Sequence, residues 1–205
     1  MPKQLIKAPP TKNTLLSLKR QVKFLEDGHA LLERKRELLT RLVYQRIDDY
    51  RIQRTQTHDA IKRAYHWLGI AALRMGSRAL HQAGLGIEPS IKVDIIPKHS
   101  LGVEYPAIVA ERLPLCPVGL LGTDASLDET RKTLTEAALQ LARLGEAEMA
   151  LGRLMTEQRK AQKRVNALKY NIIPRYRDTI RFIESVMEEE ERSVLYQIKL
   201  LRDKS

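Results

Sequence analysis

Apolar residues recur by threes and fours along both ends of this chain, and the stretch between them lacks that rhythm. In the N-terminal arm the series runs Leu15, Leu18, Val22, Leu25, Leu32, Leu39 and Val43. In the C-terminal arm it runs from Leu134 through Leu141, Leu144, Leu151, Met155, Val165, Leu168 and Ile172 to Ile183. A spacing that averages about 3.5 residues keeps one seam of a helix facing a partner helix along its length. Two arms of similar length joined by a turnaround predict an all-α chain, a long antiparallel two-helix coiled coil with both termini at one end of a rod. His29, Arg36 and Arg46 fall on the seam of the first arm, and polar seam residues weaken a coiled coil while fixing its register.

Boundaries follow from the local signals. Residues 1–10 end in Pro9-Pro10 and read as an extended tail, after which the Thr11 hydroxyl is placed to cap a helix. No proline interrupts residues 11–83, so the first coiled-coil helix is drawn as continuous; at 1.5 Å per residue it would run about 105 Å. Around Trp67, Leu68, Ile70, Leu73 and Met75 the apolar face broadens. Residues 84–123 form an insert that opens on Gly84-Leu85-Gly86. Ile87 to Ile96 alternates up to Pro97, and a second strand candidate follows from Gly102 to Ala110. Pro97-Lys98-His99-Ser100 is the expected connection of this small β-hairpin. A two-stranded hairpin alone is marginal in water, so it should pack on helices. The second coiled-coil helix spans 124–205, with Ser126 and Glu129 as a capping box and Pro174 as a structural kink. Gly145 and Gly152, seven apart, would let another helix approach closely.

Composition narrows the partners. The chain has 205 residues, only two Phe and one Trp, 30% charged residues and a formal net charge of +11. That is little material for a deep globular core and enough for a narrow seam with solvated outer faces. Such an excess of positive charge attracts nucleic acid, an anionic membrane surface or an acidic protein socket. Seven basic and no acidic residues lie between Arg159 and Arg177, whereas Glu188–Glu191 is an acidic run. Aromatics for base stacking are scarce there (Tyr170 and Tyr176), and the first arm interleaves Glu26, Asp27, Glu33, Glu37, Asp48 and Asp49 among its cations. A basic nucleic-acid-binding coiled coil and a membrane-surface scaffold therefore stay as alternatives to a positive shaft held in an acidic collar. The single Cys116 excludes an internal disulfide and fits a reducing cytoplasm. The N-terminal stretch has no apolar signal core, and no run approaches the length of a membrane span, so a cytoplasmic chain is expected.

Catalytic chemistry is hard to find. There is no phosphate-binding loop of the G-x-x-x-x-G-K-S/T kind, and Gly84-Leu85-Gly86 is too short for a dinucleotide fingerprint. His29, His58, His66, His81 and His99 lack a metal-binding spacing, and no cofactor is expected. Cys116, in an apolar loop without a neighbouring histidine, reads as a buried thiol.

Two blocks carry a family resemblance. The first is Pro10-Thr11-Lys12 with Leu15, Leu18 and Gly28-His29-Ala30-Leu31-Leu32-Glu33-Arg34-Lys35-Arg36-Glu37-Leu38-Leu39. The second is Arg164-Val165-Asn166-Ala167-Leu168 with Ile172-Ile173-Pro174, Thr179-Ile180, Ile183, Glu190-Glu191-Arg192 and Ile198-Lys199. Together they resemble the D subunits of the V/A-type rotary ATPases and ATP synthases, while residues 85–122 match more loosely. Lys169 and Glu33 depart from the family's usual acidic and basic choices at their positions. The resemblance implies a non-catalytic central rotor shaft that carries torque between a catalytic hexamer of A and B subunits and a membrane rotor ring moving protons or sodium ions. Its implied partners are the A, B and F subunits and the subunit capping the ring, with no nucleic acid and with the membrane reached only through the complex on its cytoplasmic face. The residues expected to meet the hexamer are Lys12, Lys19, Arg20, Lys23, Arg164, Lys169, Arg175, Arg177 and Arg192.

Overall fold

The computed structural model describes residues 5–117 and 123–202. Among the described residues the regular elements are α1 (Lys12–Met75), α2 (Ser77–Leu85), an antiparallel hairpin of β1 (Ile91–Ser100) and β2 (Val103–Arg112), α3 (Ala125–Ala167), a π-helical turn (Leu168–Ile172) and α4 (Ile173–Arg202). By internal contacts it divides into two compact units, residues 1–38 with 158–205, and residues 39–157.

In the first unit the two arms run antiparallel, because the partners of successive α1 residues descend the chain. Lys19 pairs with Glu184 at 2.7 Å, Glu26 accepts from Arg177, and Arg36 donates to the Gln162 amide oxygen at 3.0 Å. The seam between them buries Leu18, Val22, Ala161, Val165, Ile173 and Ile183. Arg36, a cation at a seam position, is held by Gln162 and by Glu33 at 2.6 Å. Its two terminal nitrogens are thus satisfied, whereas the buried Nε makes no hydrogen bond. The Ile6 amide donates to the Thr179 hydroxyl at 3.1 Å and fastens the extended tail to α4.

Pro174 acts on the helix one turn upstream. Its ring has no N–H and would press on the Tyr170 carbonyl, and residues 168–172 open into a π turn in which the Ile173 N–H bonds the Leu168 carbonyl. That i→i−5 bond takes up one extra residue while the helix continues.

The second unit is also antiparallel: the Thr57 hydroxyl lies 3.4 Å from the Gln140 carbonyl, and Arg63 lies 3.8 Å from Glu136. Its seam relies on small and hydroxylic residues. Ala60, Ala64, Ala71, Ala137, Ala150, Thr57, Thr130 and Thr135 are buried, together with the larger Leu39, Leu127 and Leu154 of the helices and Val103 and Tyr105 of the hairpin. Leu134 and Leu141, expected in the seam, face solvent. Alanine and threonine are buried there in their place, and each brings less apolar area than leucine would. Leu73 and Tyr65, in the broadened apolar stretch, are also exposed. A Cβ added at Gly145 or Gly152 would meet nothing within 4 Å, so neither glycine serves a close helix contact here.

The expected continuous helix over 11–83 is divided. Gly76 adopts φ 77° and ψ 152°, which ends α1 and starts α2. Side-chain-bearing residues essentially never occupy that region, so the glycine is what permits the break. At the other arm the helix starts two residues earlier than the capping-box reading. Asp124 precedes α3 and receives the Ser126 hydroxyl at 2.6 Å and Arg74 at 3.2 Å, while Glu129 pairs with Lys132.

The hairpin differs from expectation in its turn. Strand β1 continues through Pro97 to Ser100, and the reversal is the pair Leu101-Gly102, with φ 51° and 74°. Two central residues in left-handed conformation match a type I′ turn. Pro97 faces Pro106 across the ladder. Counting from the hydrogen-bonded pair Ser100–Val103 that closes the turn, this is a non-hydrogen-bonded pair, where neither proline needs an N–H.

Candidate interaction surface

All nine basic residues expected at an interface fall within the first unit. Lys12, the first residue of α1, lines a groove with Met187, Glu190, Glu191 and Leu195, so the start of α1 lies beside the C-terminal half of α4. Arg20, Lys23 and Arg164 face solvent. Lys19 and Arg177 tie the arms through Glu184 and Glu26, and Arg192 reaches Glu188 one turn away at 3.8 Å. Lys169 lies 5.4 Å above the Tyr170 ring at the π turn. Arg175, half-buried, offers its carbonyl to the Thr179 hydroxyl.

The excess charge has a definite location. Residues 1–38 and 158–205 hold 21 Lys and Arg against 11 Asp and Glu, whereas residues 39–157 hold 15 against 14. Nearly all of the +11 therefore resides on the unit that carries both chain ends. Surface pairs of the Lys19–Glu184 kind are worth only about 0–1 kcal/mol each, so these cations can exchange partners readily.

The second unit offers backbone chemistry instead. The Ile108 N–H, which points away from β1, donates to Glu146 at 3.0 Å, and Arg153 donates to the Glu104 carbonyl at 2.8 Å. Two α3 residues seven apart thus take up one N–H and one carbonyl on the outer edge of β2, which hinders the addition of a further strand there. Ser90 and Thr135 share a hydroxyl hydrogen bond at 3.0 Å, and the buried Arg131 donates to the Cys116 carbonyl at 2.8 Å.

Cys116 is exposed rather than buried, and its thiol donates to Glu88 at 3.0 Å. That hydrogen bond and the carboxylate's charge push the thiol pKa up, which disfavours the thiolate a nucleophile needs. Asp124 is the opposite case, its carboxyl held below the usual range by the Ser126 hydroxyl and Arg74. Among the described residues no cluster of His, Cys, Asp and Glu could hold a metal, and no helix is long and apolar enough to cross a membrane.

Sequence reasoning missed one surface whose signal was present. Phe24, Leu31 and Leu38, spaced by seven on α1, are 76%, 69% and 44% exposed. The stronger seam beside them, through Leu25, Leu32 and Leu39, obscures this second series.

Comparison with known proteins covers almost the whole chain. The family model for the D subunit of ATP synthase matches residues 14–203. The D subunit of the A-type ATP synthase of Pyrococcus furiosus is 32% identical over 203 residues, 97% of this chain and 95% of that protein. The corresponding protein of Methanosphaera stadtmanae is 35% identical over 198 residues, 94% of this chain and 92% of its own length. The D subunit of the V-type ATP synthase of Thermotoga neapolitana is 33% identical over 196 residues, 95% and 97% respectively. With matched residues running through both helical arms and the hairpin, this chain belongs to the family of ATP synthase D subunits.

Proposed function

We propose that the chain is the central rotor shaft of an A/V-type ATP synthase, a non-catalytic component that transmits torque between the catalytic A and B subunits and the membrane ion-translocating ring. The observation that carries this reading is the nearly full-length family match together with the confinement of the positive charge to the unit bearing both chain ends. In this reading that unit enters the central cavity of the hexamer. Its cations, Lys12, Lys19, Arg20, Lys23, Arg164, Lys169, Arg175, Arg177 and Arg192, face acidic groups of the A and B subunits that change as the shaft turns. Contacts worth about 1 kcal/mol or less are exchanged without locking the rotor. The F subunit and the subunit capping the ring bind the remaining surface, the chain meets the membrane only through the complex, and it lies on the cytoplasmic face. ATP chemistry belongs to the hexamer.

Gentle affinity purification through this chain tests the proposal. Recovery of the A, B and F subunits in one ATP-hydrolysing complex is the expected result. A chain recovered alone, or with nucleic acid whose binding falls steeply with salt, overturns it.

A further inference from the structure

We infer that α1 seats a third helix on its outer face, along Phe24, Leu31 and Leu38, and that the occupant is an acidic amphipathic helix of another subunit. The three residues repeat every seven positions, so they form a second stripe beside the seam that already holds α4. Within the first unit the inner seam (Leu18, Val22) is closed, whereas Phe24 and Leu31 are more than two-thirds exposed. Single exposed apolar residues need no explanation, but a heptad-spaced file of a phenylalanine and two leucines has the geometry of a helix-binding face.

The rim says what covers it. Arg20, Lys23, Arg34 and Lys35 border the stripe in exposed positions, against the exposed carboxylates Asp27 and Glu37. A helix lying there meets an apolar centre and a net positive border. Its own pattern should therefore be an apolar residue at every seventh position with Asp or Glu beside it. A second copy of this chain would set one net positive border against another.

This inference rests on the rotor reading only for the occupant's origin, and two readouts separate them. A photo-crosslinking residue is placed at Leu31 in the complex purified through the chain, and adducts are mapped by mass spectrometry. Adducts confined to one acidic, heptad-patterned helix of another subunit are expected. Adducts to a second copy, to nucleic acid or to scattered segments overturn the seat. Composition of the same preparation tests the rotor reading separately, since missing A and B subunits count against the rotor alone. In parallel, Phe24→Ser with Leu31→Ser should weaken assembly by roughly tenfold or more, with helicity and melting of the isolated chain unchanged and Leu31→Met restoring assembly. Unchanged assembly in the double variant would overturn the proposal.

Discussion

The two units solve the same problem, pairing antiparallel helices, with different materials. The first uses branched aliphatic side chains in its seam and keeps a strongly positive surface. The second uses alanine and threonine, is nearly neutral and carries a β-hairpin pinned to α3. An alanine seam allows close backbone approach but buries little apolar area per layer, so its stability depends on fit. A seam of Leu, Val and Ile gains more from burial, about 25 cal/mol for each Å², and tolerates a crowded outer face of like charges. The unit with the repulsive surface is the one that buries fewer alanines and hydroxylic residues.

The largest effect should come from the first unit's seam. Ile183, 1% exposed, changed to Ala should cost about 2–5 kcal/mol, read from urea unfolding of the purified chain. A loss below about 1 kcal/mol would erase the distinction between the two seams. Ala64 tests the opposite property. It is fully buried in a cluster with Ala60 and Ala137, so Ala64→Leu should destabilise by about 1–3 kcal/mol through overpacking. A stabilised variant would show that the second seam has spare room. Gly76→Ala should cost a similar or slightly smaller amount, about 1–3 kcal/mol. No atom obstructs the added methyl, so the whole effect is conformational; circular dichroism showing no change in melting would refute the assigned break. Lys19→Ala removes an exposed pair with Glu184 and should change stability by less than about 1 kcal/mol, an effect that 1 M salt abolishes.

The smallest effect concerns pH. Asp124 is held below the ordinary 3.8 by the Ser126 hydroxyl and Arg74. A depressed folded-state value means that its stabilisation is complete above the ordinary carboxylate value and is lost as pH falls through the lower, folded one. Asp124→Asn should therefore lower the melting temperature slightly at pH 7, and the gap should close in strong acid. A gap that persists unchanged there would assign Asp124 no electrostatic role.

Much of this architecture is written in the spacing of apolar residues. The seam through Leu18 and Val22 and the hairpin's existence follow from periods of 3.5 and 2. What escapes is any feature decided by one backbone angle or by competition between neighbours. Pro97 reads as a strand terminator until its partner is known to be Pro106, and Gly76 reads as an ordinary helix glycine because nothing local reveals its φ. Leu134 and Leu141 fit a heptad, but the buried stripe beside them is made of Ala and Thr, which a search for large apolar residues passes over. The π turn is hidden from periodicity because Ile172 and Ile173 are both apolar, so moving the seam by one residue from the first to the second leaves no gap in the pattern. Cations are easy to count in the sequence, but only the fold assigns all nine candidates to one unit.

The facing prolines of the hairpin have a consequence for how the strands find each other. Pairing them in a non-hydrogen-bonded site costs no ladder bond, whereas a slip of one residue along either strand would put a proline where an N–H is required and turn each strand's side chains to the wrong face. Alignments displaced by one residue, within the hairpin or with a strand of a neighbouring molecule, are thereby penalised as soon as they form. Pro97 and Pro106 act as a proofreading pair, rejecting errors during folding and adding nothing to the finished ladder.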